Sequence, residues 1–243
     1  MALKKVLVVS HERSGTHFLI NTIGLNFRLY RPDDISIHTK DGDPDGVREQ
    51  YQSYMGKWEP RIFKSHHQFA YFEPIWEDIV REFEVFYMVR DPRGVFVSSW
   101  FYHKNICMDA FPRGRSFLDW LKTDPTEYTF DTIYSLDKSK DMIERWIKHV
   151  DAWLSVPEVR VITYSELSND FEGTLHDRLA YMLPCPPLQT TTKPVLGVHK
   201  SVAPRCGVAG EWKKHVSKDD NSLIIREVLL RLNATKQAIV FKA

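Results

Sequence analysis

Residues suited to gripping a phosphate ester recur at four places in the chain, each directly after a short apolar run. The first is His11-Glu12-Arg13-Ser14-Gly15-Thr16. Gly15 lets the backbone turn and approach a ligand closely, Ser14 and Thr16 offer hydroxyls and amides, and Arg13 brings a fixed cation with a planar fork of donors. A helix beginning there would add its positive end to the same cradle. The second is Lys64-Ser65-His66-His67, where imidazole can take a proton near neutral pH and lysine can steady negative charge. The third is Arg90, with Ser98 two helical turns further on, so that one anion can touch both. The fourth is Tyr164. All four carry polar or charged groups suited to a phosphate-bearing ligand.

The elements that must position them follow from hydrophobic period and end signals. Strands are expected at 4–10, 61–65, 84–89 and 159–164, and helices at 17–27, 73–83, from Asp91-Pro92 to about 104, at 138–154, on to about 183, and at 219–232. Asp91 supplies a capping oxygen, and Pro92 lacks only a donor that the first helical turn would leave orphaned. Ile143, Trp146, Ile147, Val150 and Leu154 give 138–154 an apolar stripe, with Trp146 and Trp153 as packing residues. Residues 31–60 are rich in Asp, Gly and Pro and read as an irregular excursion. Residues 105–137 read as a lid or substrate loop with a short helix near 117–122, a Pro-rich break stands at 184–187, and 200–216 reads as a loop. Alternating strands and helices imply an α/β fold, a parallel sheet flanked by helices on both faces, in one domain over 1–243. In such sheets ligands bind beyond the carboxyl ends of the strands, where all four polar groups fall.

Composition narrows the partners. A net charge of +1 over 243 residues gives no polybasic field, so bulk nucleic-acid binding is not expected and basic residues must act locally. Cys107, Cys185 and Cys206 are odd in number and scattered, which suits reduced thiols and offers no metal-ligand spacing. No apolar run approaches the roughly 18 residues that cross a bilayer, and Met-Ala-Leu-Lys-Lys leads straight into the first strand. The expectation is a cytoplasmic protein with no membrane partner; nothing in the sequence sets its oligomeric state.

A Walker A loop would need glycine at Ser10 and lysine at Thr16, which weakens the reading as an ATP- or GTP-dependent small-molecule kinase without removing it. Five segments together resemble instead the family of sulfotransferases that use 3'-phosphoadenylyl sulfate (PAPS). Glu12 to Leu19 resembles the family's loop for the 5'-phosphosulfate, and Phe63-Lys64-Ser65-His66 its Lys-Thr-His segment. Arg90-Asp-Pro-Arg-Gly-Val-Phe-Val-Ser98 is similar to its 3'-phosphate motif, Ile162 to Leu167 to its Tyr-Glu-Asp-Leu strand end, and Arg205 to Lys213 to its late loop over that phosphate.

The resemblance implies a P-loop-NTPase-like three-layer architecture, with PAPS as co-substrate, 3',5'-ADP (PAP) as product and no metal. It implies transfer of a sulfuryl group to a hydroxyl or amine, and the lack of an export segment favours a small molecule as the acceptor. His66, Lys64 and Arg13 are the expected catalytic residues, with His67 and Glu12 as rival bases. Arg13, Ser14, Gly15, Thr16, His17 and Phe18 are expected at the 5' end and adenine, Tyr164 by the adenine, and Arg90, Ser98, Arg205, Cys206 and Gly207 at the 3'-phosphate. Residues 31–60 and 105–137 would shape the acceptor site; Trp58, Tyr71, Phe72, Trp100, Phe101, Tyr102, Phe130 and Tyr134 surround the motifs in sequence as candidate lining aromatics, most of them expected in the core. Departures from the pattern are Arg13 for a common lysine, Phe18 for a tryptophan and Cys206 for a lysine; the last keeps an inactive nucleotide-binding relative in play.

Overall fold

The computed structural model describes residues 4–30, 34–36, 43–57, 61–106, 115–127, 136, 138–195 and 209–242. Its centre is β1 (Lys5–Val9), whose five residues are all buried, as a strand covered on both faces requires. β1 pairs in parallel with β3 (Ile62–Ser65) on one side and with β4 (Phe83–Val89) on the other. β2 (Asp34–Ser36) lies beyond β3 and β5 (Arg160–Thr163) beyond β4, giving the order β2-β3-β1-β4-β5. The chain thus fills one side of β1 and then jumps to the other, which opens a ligand crevice at the carboxyl ends of β1, β3 and β4.

Strand alternation sorts the core into two layers. Val6, Val8, Ile62, Phe86, Met88 and Ile162 point to one face, where Leu19, Ile20 and Ile23 of α1 (Thr16–Asn26) and Leu167 of a later short helix cover them. Leu7, Val9, Phe63, Val85, Tyr87 and Val89 point to the other. That face is covered by α2 (Pro44–Ser53), α3 (Trp76–Glu82), α4 (Pro92–Ile106), α5 (Phe117–Leu121) and α6 (Met142–Leu154). Trp146 and Trp153 of α6 are wholly buried, so truncating either to alanine costs about 3–5 kcal/mol. The expected parallel sheet with helices on both faces is observed.

Local signals explain the ends that matter. Asp91 Oδ1 accepts from Arg93 N at 2.9 Å, so α4 starts where the Asp-Pro pair predicts. Thr163 caps α7 (Tyr164–Asn169) in a reciprocal capping box with Glu166. Tyr164 is therefore the first helical residue and not the last of a strand.

The excursion at 31–60 is less irregular than its composition predicts. It contributes the edge strand β2 and the helix α2, whose Asp43 side chain accepts from Asp45 N and Gly46 N with Pro44 at the first turn. At the other end, α8 (Lys218–Arg231) is followed by an unforeseen α9 (Ala234–Lys242), where the Asn233 side chain accepts from Lys236 N at 3.0 Å. Among the described residues, no helix is long and apolar enough to cross a membrane.

Candidate active site

The turn between β1 and α1 is held in an uncommon shape. Gly15 has φ +100° at the helix N-cap, and a Cβ placed there would lie 2.5 Å from Tyr164 Cδ2, so both backbone and neighbour require glycine. Arg13 has φ +65°, the one such non-glycine among the described residues, a conformation costing about 1–3 kcal/mol unless its surroundings enforce it. Its Nε donates to Ser98 Oγ at 3.2 Å and its guanidinium lies 4.9 Å from the Tyr102 ring centre. Its carbonyl accepts from Arg90 Nη1 at 3.2 Å. Arg90 in turn lies over the Tyr164 ring at 4.4 Å, and the Phe18 and Tyr164 rings are 5.9 Å apart. Arg13, Gly15, Phe18, Arg90, Ser98 and Tyr164, read from three separate segments, thus meet in one corner. Two guanidiniums sharing one corner favour an anion between them, which is the fit a nucleotide phosphate needs. Thr16 Oγ1 lies 2.6 Å from Ser10 Oγ, and the Ser14 amide closes the turn onto His11 O at 3.3 Å.

β3 supplies the second group. Lys64 is buried and sits in register between Val8 of β1 and Ser36 of β2. His66 Nδ1 lies 2.8 Å from Ser10 O. A carbonyl only accepts, so that nitrogen carries the hydrogen and Nε2 bears the lone pair of the neutral ring. The two rival bases sit in different surroundings. His67 is wholly buried, with Nδ1 2.8 Å from Ser65 Oγ and its ring 4.7 Å from that of Tyr71. Both carboxylate oxygens of Glu12 accept from Arg145, at 2.6 and 2.9 Å.

Behind these loops lies a buried polar set that periodicity did not single out. Arg145 Nη1 also reaches His11 Nε2 at 2.7 Å, His149 Nε2 donates to His66 O at 3.1 Å, and Trp153 Nε1 donates to His67 O at 3.0 Å. The available signal was their spacing, four residues apart on one stripe of α6 among the apolar positions. Burial, reinforced by Arg145 and opposed by Glu12, lowers His11 to about 4. His103, which accepts from Trp120 Nε1, also falls to about 4, chiefly by burial and then through Arg145. Burial likewise holds His149 well below the ordinary imidazole range. For Glu12 burial acts upward, but Arg145, His11 and His66 outweigh it and keep the carboxyl well below its usual range.

Arg205, Cys206 and Gly207 lie outside the described residues, as do Trp58, Phe130 and Tyr134. Of the same late segment, Ala209, Gly210 and Trp212 do reach the site, lining a pocket of about 220 Å³ together with Arg90, Gly94 and Tyr164. Arg93 stacks 3.9 Å over Trp212 and its Nη1 donates to Asn221 Oδ1 at 3.2 Å, tying this segment to α4 and α8. Tyr71 and Phe72 pack in the core instead of lining an acceptor pocket.

Residues 3–193 match the family described as the Sulfotransferase domain, and the chain belongs to that family. Among curated relatives, Sulfotransferase 2A1 of Mus musculus is 23% identical over 188 residues, 70% of this chain and 56% of its own length. Sulfotransferase 2A1 of Macaca fascicularis is 22% identical over 240 residues, 87% of this chain and 78% of its own. The chain thus spans little more than half of the mouse relative. Mouse sulfotransferase SULT7A1 complexed with PAP shares the fold with TM-score 0.63 and 18% identity, covering 97% of this chain and 88% of its own. Retinol dehydratase in complex with androsterone and PAP does so with TM-score 0.60 and 15% identity, covering 96% of this chain and 82% of its own. The architecture implied by the sequence resemblance is the one these structures share.

Proposed function

We propose that the chain transfers a sulfuryl group from PAPS to a hydroxyl or amine of a small molecule, releasing 3',5'-ADP, in a cytoplasmic setting. The observation that carries this reading is the single corner in which Arg13, Arg90, Ser98 and Tyr164 meet beside a histidine that keeps Nε2 as its lone-pair nitrogen. Arg90 and Ser98 hold the 3'-phosphate, with Arg205, Cys206 and Gly207 as the further residues at that end. Tyr164 and Phe18 flank the adenine. Arg13, Lys64 and the amides opening α1 hold the 5'-phosphosulfate.

Chemistry then needs an in-line nucleophile and stabilised leaving charge. The acceptor proton passes to His66 Nε2 as the acceptor oxygen or nitrogen bonds to sulfur. The bond from sulfur to the bridging oxygen breaks, and its electron pair leaves with the 5'-phosphate, where Arg13 and Lys64 offset the charge. Fixing His66 Nδ1–H on Ser10 O keeps Nε2 aimed and in the basic tautomer, and membership in the sulfotransferase family takes the place of the kinase alternative.

The test is an acceptor panel with labelled PAPS, followed by His66→Ala on the best acceptor. Turnover is expected to fall by roughly 10²-fold or more while 3',5'-ADP still binds. Unchanged turnover would take the base role away from His66.

A further inference from the structure

We infer that the buried Arg145 and Glu12 pair is a positioning device for the loop that grips the 5' end of the donor, so that both residues serve the reaction without touching it. The inference rests on the proposed donor site and goes beyond it. It begins on α6, where Arg145 stands on the buried face with Ile143, Trp146 and His149. An arginine there is not explained by stability alone, because a well-packed apolar side chain of similar volume generally serves a core as well as a buried ion pair does. What distinguishes Arg145 is what it immobilises.

Its two amino groups take both oxygens of Glu12, and Nη1 also meets His11 Nε2. With Nε2 accepting, His11 carries its hydrogen on Nδ1, which lies 3.0 Å from Glu12 O. That carbonyl belongs to the peptide joining Glu12 to Arg13. The next carbonyl, Arg13 O, accepts from Arg90 Nη1. The peptide planes on either side of Arg13 Cα are therefore each pinned by a side chain, and rotation between them is what sets the positive φ of Arg13. Released from Arg145, this residue relaxes toward the ordinary negative-φ regions and swings its guanidinium away from Ser98.

Two nucleotides separate this role from a general loss of structure. Adenosine 3'-phosphate carries only the phosphate assigned to Arg90 and Ser98, whereas 3',5'-ADP also carries the one assigned to the loop. Calorimetric titration of Arg145→Lys, which keeps the charge but not the fork, should show affinity for 3',5'-ADP down tenfold or more. Affinity for adenosine 3'-phosphate should stay within about threefold of wild type. Glu12→Gln keeps the shape and should show the same split, a loss for 3',5'-ADP with adenosine 3'-phosphate little changed, and it decides the matter should Arg145→Lys fail to fold.

Equal losses for both nucleotides would overturn the positioning role, and so would an unchanged affinity for 3',5'-ADP. A wild-type protein that binds neither nucleotide would instead overturn the donor site itself.

Discussion

Replacing Gly15 by alanine probes the tightest contact of the site. At φ +100° an L-residue costs about 1–2 kcal/mol in backbone strain alone. The new methyl would also sit 2.5 and 2.9 Å from two Tyr164 ring carbons and 3.3 Å from Met88 Cε. The ring cannot simply retreat, because Arg90 lies on it at 4.4 Å, so overpacking adds about 1–3 kcal/mol. The combined loss of about 2–5 kcal/mol lowers Tm on the order of 10 °C in a chain of this size. Gly56→Ala provides the control: its φ is +72° but nothing lies within 4 Å of the added Cβ, so it bears the strain without the clash. Scanning calorimetry of both variants, with urea unfolding as a second measure, isolates the Tyr164 contact as their difference. Displacing the Tyr164 ring also moves Arg90, so Gly15→Ala should weaken 3',5'-ADP while Gly56→Ala does not. Equal losses in the two variants, or a Gly15→Ala protein melting within about 2 °C of wild type, would refute the reasoning.

Other outcomes follow from the same geometry. His11 and His103 are each lowered from 6.5 to about 4, so between those values the unfolded chain binds more protons than the folded one and stability falls as pH drops. At pH 5 the loss is about 2 kcal/mol per histidine, His149 adds to it, and Glu12 adds more once pH falls below its ordinary range. Urea unfolding at pH 7.5 and 5 measures this, and equal stability at the two pH values would contradict the neutral buried histidines. Arg90→Gln should lower affinity for 3',5'-ADP by about 10²-fold, the value of one or two charge-assisted bonds, and lower affinity for 5'-AMP far less. Equal effects on the two nucleotides would remove Arg90 from the 3'-phosphate.

The parts legible in the sequence were those written locally. The β1 turn could be read because glycine, hydroxyls and arginine sit between a β-branched run and an apolar period, and the structure brings Arg13, Gly15, Arg90, Ser98 and Tyr164 together. Helix α2 was missed although Asp43-Pro44 is the same start signal as Asp91-Pro92. Only Val47 and Tyr51 are buried along it, too few to establish a period, and tertiary contact supplies the rest. The union of Glu12 with Arg145 was not legible at all. The two lie 133 residues apart, and although the spacing of Arg145 with His149 and Trp153 can mark its face of the helix, nothing local names Glu12 as its partner.

Arg145, His149 and Trp153 give one thirteen-residue helix a hand on the backs of the two loops that carry Arg13 and His66. The span between His66 and Arg13 is consequently dictated by a stiff rod and not by the loops' own compliance. Electrostatic help that is already in place when reactants arrive carries no reorganisation penalty, and under the proposed function this rod is what would hold Arg13 and His66 to a fixed separation.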